Sequence, residues 1–198
     1  MMKRIPIYLL VCVMIIFCSC TNNSSDGSAG DPQDSTGSGQ NDSVQSHMAL
    51  TLSQIETVTI DGETFTGYDF PENKLIVLNI WATWCPPCVE ELPYLQEVSE
   101  YYSDKNVEII GIMLDGVNEK LEMDSSVIDA GKKLLATAGA NYTVILPDET
   151  LIKELVGQVH VIPTTFFMDG KGNVISGVVG SRNADEWKEE IDGALEKI

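Results

Sequence analysis

Residues 78–88 read Leu78-Asn79-Ile80-Trp81-Ala82-Thr83-Trp84-Cys85-Pro86-Pro87-Cys88. The stretch emerges from an apolar run, Leu75 to Ile80, which reads as a strand buried on both faces. It ends in two cysteines separated by two residues. Proline is tolerated in the first turn of a helix, where the N–H it lacks would have no intrahelical partner, so Pro86 opens a helix. That helix is expected to reach about Tyr102, with Leu92, Leu95 and Val98 on its inner face. Pro93 lies inside it and should kink it, because it removes a backbone donor.

Outward from this joint, the chain alternates between strand and helix patterns. Thr57 to Ile60 followed by Asp61-Gly62 predicts a short hairpin with Phe65 in the return strand. Val107 to Leu114 reads as a strand, Asn118 to Ala138 as a helical stretch, Thr143 to Leu146 as a strand and Glu149 to Val156 as a short helix. Thr164 to Met168 and Val174 to Val178 flank the turn signal Asp169-Gly170-Lys171-Gly172-Asn173 and should pair as a hairpin. Ala184 to Lys197 closes the chain as an amphipathic helix with Trp187, Ile191 and Leu195 inward. The fold class expected is α/β: a central mixed sheet flanked by helices on both faces, with an N-terminal β-hairpin and a helical insertion. No internal repeat is visible.

The cysteine pair carries the chemistry. Disulfide exchange needs one thiol that ionises near ambient pH and a second that can reach it. A helix N-terminus provides the first, because its free N–H groups and macrodipole favour a thiolate at Cys85. One helical turn brings Cys88 back beneath it. Cys85 is expected to be the exposed, attacking sulfur and Cys88 the resolving one, with a mixed disulfide between them and substrate. Pro86 and Pro87 stiffen the loop. A zinc site would need two further ligands, yet beyond the first twenty residues the chain has no other cysteine and only His47 and His160. A purely structural disulfide would gain little from so short a loop. No cofactor is expected beyond the Cys85–Cys88 disulfide itself.

The N-terminus reads as an address. Lys3 and Arg4 precede an apolar run, Ile5 to Phe17, too short as a helix to cross a hydrocarbon core of about 30 Å. The run ends in Phe17-Cys18-Ser19-Cys20 and resembles the lipobox of bacterial lipoproteins, although Phe17 stands where that pattern prefers Leu. The resemblance implies a signal peptide over 1–19, lipidation of Cys20 and a location outside the cytoplasm, anchored to the membrane. An uncleaved signal anchor is the alternative. Residues 20–48 form a Ser/Gly/Asp-rich tether that lacks the apolar surface to order itself, and the folded domain covers 49–198. With 12 Lys plus Arg against 30 Asp plus Glu, the formal net charge is −18. Such a surface repels phosphate backbones, so nucleic acid is not an expected partner. A monomer is expected.

Residues 49 to 198 resemble the TlpA/ResA branch of the thioredoxin superfamily, on the motif from Leu78 to Cys88 quoted above. That branch has Asn where cytosolic thioredoxins have a buried Asp, here Asn79, and an acid three residues after the second cysteine, here Glu91. Glu91 is then either a proton carrier for the resolving thiol or a first-turn acid on a solvated face; Glu90 is surface. Val161-Ile162-Pro163-Thr164-Thr165 matches the branch's second landmark. The resemblance implies a cis Pro163 facing the cysteines and an Ile162 backbone free to pair with an extended substrate. Trp84 borders that groove, Trp81 belongs to the core, and His160 is an ordinary loop residue. The insertion, with Met113, Met123 and Leu134, is assigned to packing.

Function by resemblance is a reductase of disulfides in exported proteins, with apocytochrome c or a methionine sulfoxide reductase as partners and a CcdA or DsbD type membrane thiol donor. An oxidant role uses the same residues at a different potential. Two other classes stay open: a thiol peroxidase, which wants a different loop around its cysteine, and a lipid-anchored binding module with idle cysteines.

Overall fold

The computed structural model describes residues 48–198. The expected signal peptide, Cys20 and all of the tether but Met48 lie outside the described residues. The sheet is built on β3 (Leu75–Trp81), whose seven residues are all buried. Its side chains alternate between two cores, as a period of two demands. Leu75, Val77 and Trp81 pack with Leu92 and Trp187 on one face, while Ile76, Leu78 and Ile80 pack with Leu151 on the other. Each such side chain stabilises the fold by ~1.5–3 kcal/mol. Two-sided burial therefore fixes the strand, and with it the loop that begins at Ala82.

Beside β3 lie β4 (Val107–Met113) and then β5 (Thr143–Ile145), both parallel; on its other side β6 (Thr164–Met168) runs antiparallel to β3, and β7 (Val174–Val179) pairs antiparallel with β6. The order β5-β4-β3-β6-β7 makes a mixed five-stranded sheet. Four helices accompany it among the described residues: α1 (Pro86–Tyr102), α2 (Ser125–Ala138), α3 (Glu149–Glu154) and α4 (Ala184–Leu195). The core joining α1, α2 and α4 residues occupies one face, and that joining α3 the other. The predicted N-terminal hairpin is present as β1 (Glu56–Val58) and β2 (Thr64–Thr66). It attaches beside β5 through Ile60 N–H to the Val144 carbonyl, 2.8 Å, and Leu146 N–H to the Val58 carbonyl, 3.0 Å. The architecture matches the expected one.

The insertion corrects the sequence reading. A helix was expected from Asn118, but α2 starts only at Ser125. The Asn118 side chain accepts hydrogen bonds from the N–H groups of Lys120 and Glu122, and Leu121 has φ +61°, so a local turn replaces the first helical turns. Asp124 is the N-cap, accepting from the N–H groups of Ser126 and Val127. Met123 therefore falls outside the helix and is 62 % exposed instead of packed. Met113 is buried and Leu134 half-buried, as expected. α1 continues through Pro93, which lies on its exposed face.

Candidate functional site

Cys85 is the N-cap of α1 and Cys88 lies in its first turn; the two form a disulfide with Cα atoms 5.3 Å apart. The spacing thus places the sulfurs where the helix begins. Pro86 and Pro87 occupy the first two helical positions, so neither offers an N–H to Cys85. Val89 N–H is taken by the Cys85 carbonyl at 3.1 Å. The amide left at this helix end to stabilise a Cys85 thiolate is that of Cys88, together with the macrodipole.

The exposure expected of Cys85 is much smaller in the structure. Cys85 is 4 % exposed and Cys88 fully buried. The order of access is as read from the sequence, but Cys85 forms the floor of a shallow apolar groove. Trp84, Pro86, Pro87, Leu114, Val161 and Ile162 help to line that groove, and the Ile162 carbonyl stands 3.8 Å from Cys85 Sγ. The cover comes from a segment 77 residues away in the chain, beyond the reach of local pattern. Trp84, 68 % exposed, overhangs the groove, whereas Trp81 is buried in the core. His160 is exposed on the groove's far wall.

The Ile162–Pro163 peptide is cis. Among the described residues, neither the amide nor the carbonyl of Ile162 has a backbone hydrogen-bond partner, which leaves both free for an extended chain laid along the groove. The Pro163 carbonyl is held by Gly180 N–H at 2.8 Å, in a turn where Gly180 has φ +89°.

Glu91 is 1 % exposed, beneath α1, and Glu90 beside it is exposed. Glu91 accepts from Asn79 Nδ2 at 2.8 Å and from Arg182 N–H at 3.3 Å. Burial pushes its carboxyl from 4.5 up to about 7, against the Asn79 and Arg182 hydrogen bonds and the Arg182 charge, which favour ionisation. A carboxyl poised there can both hold and release a proton near neutral pH. Asn79 Nδ2 also donates to Thr165 Oγ1 at 3.0 Å, which ties α1 to the strand that follows the cis proline.

Sequence reasoning missed three supports. Asp115, just after β4, accepts from both the N–H and the hydroxyl of Thr83, fastening the loop before the cysteines. Arg182 and Gly180, in the β7–α4 turn, hold Glu91 and Pro163 respectively. The signal for Asp115 is an acid at the C-terminal end of a central parallel strand, where open α/β sheets place their sites. Arg182 contributes a backbone N–H, which no sequence pattern displays.

A mixed five-stranded sheet with a disulfide at a helix N-terminus, facing a cis proline, defines a protein of the thioredoxin fold with a dithiol–disulfide centre. Comparison narrows this class. The chain matches the Redoxin family over residues 40–195 and belongs to it. It is similar to the thiol-disulfide oxidoreductase ResA of Bacillus thuringiensis (strain Al Hakam), 31 % identical over 135 residues, which cover 64 % of this chain and 65 % of that one. The chain thus spans just under two thirds of the length of that relative. It also resembles the thiol:disulfide interchange protein DsbE of Haemophilus influenzae, 29 % identical over 142 residues, covering 72 % and 71 %. Among solved structures, a thiol:disulfide interchange protein of the thioredoxin family from Chlorobium tepidum TLS superposes with a TM-score of 0.61 at 27 % identity. That likeness covers 77 % of this chain and 99 % of the other.

Proposed function

We propose that this chain is a thiol-disulfide oxidoreductase working outside the cytoplasm from a membrane tether at Cys20, most readily as a reductase of disulfides in exported proteins. The observation that carries the activity is the Cys85–Cys88 disulfide at the start of α1, set in a groove whose wall is the free backbone of Ile162 before Pro163. In the reduced form the Cys85 thiolate attacks a substrate disulfide; one substrate sulfur leaves as thiolate and a mixed disulfide forms. Cys88 gives up its proton and attacks Cys85 Sγ, which releases the second substrate thiol. Two electrons pass from the pair to the substrate. Glu91, one turn along α1 from Cys88, takes the proton of the resolving thiol. A membrane thiol carrier of the CcdA or DsbD type then reduces the pair again. Apocytochrome c and methionine sulfoxide reductase type proteins are the substrate classes this reading favours; the names of the ResA and DsbE relatives support the thiol-disulfide exchange itself.

Insulin disulfide reduction tests the activity: the wild type should accelerate it and Cys85→Ser should not, whereas equal rates would leave a binding module. Titration against glutathione tests the direction, since a potential well above about −200 mV would make the protein an oxidant. Cys88→Ala in cells should trap partners on Cys85 for mass spectrometry.

A further inference from the structure

Four buried side-chain polar atoms have no hydrogen-bond partner among the described residues: Trp187 Nε1 in α4, and three on or beside the central strands, Asn79 Oδ1, Trp81 Nε1 and Tyr142 Oη. The sheet register brings these three together. Gly111 in β4 pairs with Asn79 in β3 on one side and with Val144 in β5, two residues after Tyr142, on the other. A methyl group at Gly111 would stand 3.2 Å from Trp81 Nε1 and 3.4 Å from Tyr142 Cε2, so the indole N–H and the phenol edge converge on the same point beside Asn79. Asn79 Nδ2 is committed to Glu91 and to Thr165 in β6, which turns Oδ1 the other way, toward β4. One acceptor, one donor and one hydroxyl are thus left without partners around Gly111 in the interior. Buried polar groups left alone are costly, and an internal water of typically about three hydrogen bonds is the common remedy.

We propose that Asn79 Oδ1, Trp81 Nε1 and Tyr142 Oη hold one internal water molecule, and that through it Tyr142 is a positioning residue for the Glu91 carboxyl. The inference rests on the role given to Glu91 above. The water accepts from the Trp81 N–H and the Tyr142 O–H and donates to Asn79 Oδ1. Bonding at the carbonyl end of the Asn79 amide polarises it and strengthens the N–H that Nδ2 gives Glu91 Oε1. The chain therefore favours the ionised carboxylate. Burial and the nearby Glu91 push the Tyr142 phenol above its ordinary value, which keeps it protonated and donating. The other titratable groups near Glu91 are Arg182 and Glu186 from the β7–α4 turn and the start of α4, and Glu90 and Tyr94 from its own helix. The strands contribute Asn79, Gly111 and Thr165, none of which titrates.

Tyr142→Phe tests the proposal, because it removes the hydroxyl and keeps the ring. A high-resolution crystal structure of the wild type should show a water in hydrogen-bond reach of at least two of the three atoms, weakened or lost in the variant. The Glu91 titration midpoint, read by carboxyl NMR on the oxidised protein, should rise by at least about 0.3 pH unit. A wild-type structure without that water, or an unmoved midpoint, overturns the inference. Glu91→Gln separates the two claims: if resolution of a mixed disulfide keeps its pH dependence in that variant, the role of Glu91 fails, whatever the water does.

Discussion

Replacing Glu91 by Gln keeps the side chain's shape and its acceptor for Asn79 while abolishing its titration. The consequence follows from linkage between protons and folding. Below 4.5 the carboxyl is protonated in folded and unfolded chains alike, and the fold has its full stability. As pH rises, the unfolded chain releases the proton first, while the folded protein retains it until about 7. Stability is therefore lost as pH climbs through this window, and the loss is complete above it. Moving a carboxyl from 4.5 to about 7 corresponds to about 3 kcal/mol, most of which falls between pH 5 and pH 8.5. Glu91→Gln escapes this loss. Urea unfolding of oxidised wild type and variant at pH 5 and pH 8.5 isolates it, because every other titrating group cancels in the difference. The variant should gain about 2–3 kcal/mol on the wild type between the two pH values. Parallel pH dependences would refute the burial of an ionisable Glu91 and its part in proton transfer.

Pro87→Ala restores an N–H at the second helical position beside Cys85, and should lower the Cys85 thiol pKa by about 0.2–0.7 unit, measured by thiolate absorbance at 240 nm. Thr165→Val removes a buried acceptor of Asn79 Nδ2 and should cost about 1–3 kcal/mol in denaturant unfolding. Amide hydrogen exchange should separate Met123, whose N–H in the turn before α2 has no partner among the described residues and should exchange fast, from residues 129–138, protected by α2; protection of Met123 equal to that of 129–138 would mean that the helix begins where the sequence suggested.

The fold was legible where local rules and burial agree. Leu75 to Ile80 is apolar throughout because both its faces are covered, and Pro86 marks the first turn of α1 because its missing N–H has no partner to lose. The Asp169–Asn173 turn follows from Asp169, whose carboxylate accepts from the N–H groups of Lys171 and Asn173. The insertion misled because its residues have ordinary helix propensity, while Asn118 and Asp124 satisfy the backbone locally and delay the helix. At the site, the cysteines, Glu91 and the cis proline are visible as residues, but their setting is not. The cover over Cys85 comes from Ile162, the brace on Thr83 from Asp115 and the grip on Glu91 from Arg182, at sequence separations of 77, 32 and 91. Only the folded sheet brings those segments together.

The account stands on the Cys85 sulfur being the acidic and accessible member of the pair. The most direct measurement is alkylation of the reduced protein with iodoacetamide across pH 4 to 10, with each cysteine followed by mass spectrometry. Cys85 should react first, with a midpoint clearly below the ~8.5 of a free thiol, while Cys88 stays largely unmodified in the folded protein. Equal rates at the two positions with midpoints near 8.5, or faster labelling of Cys88, would contradict it.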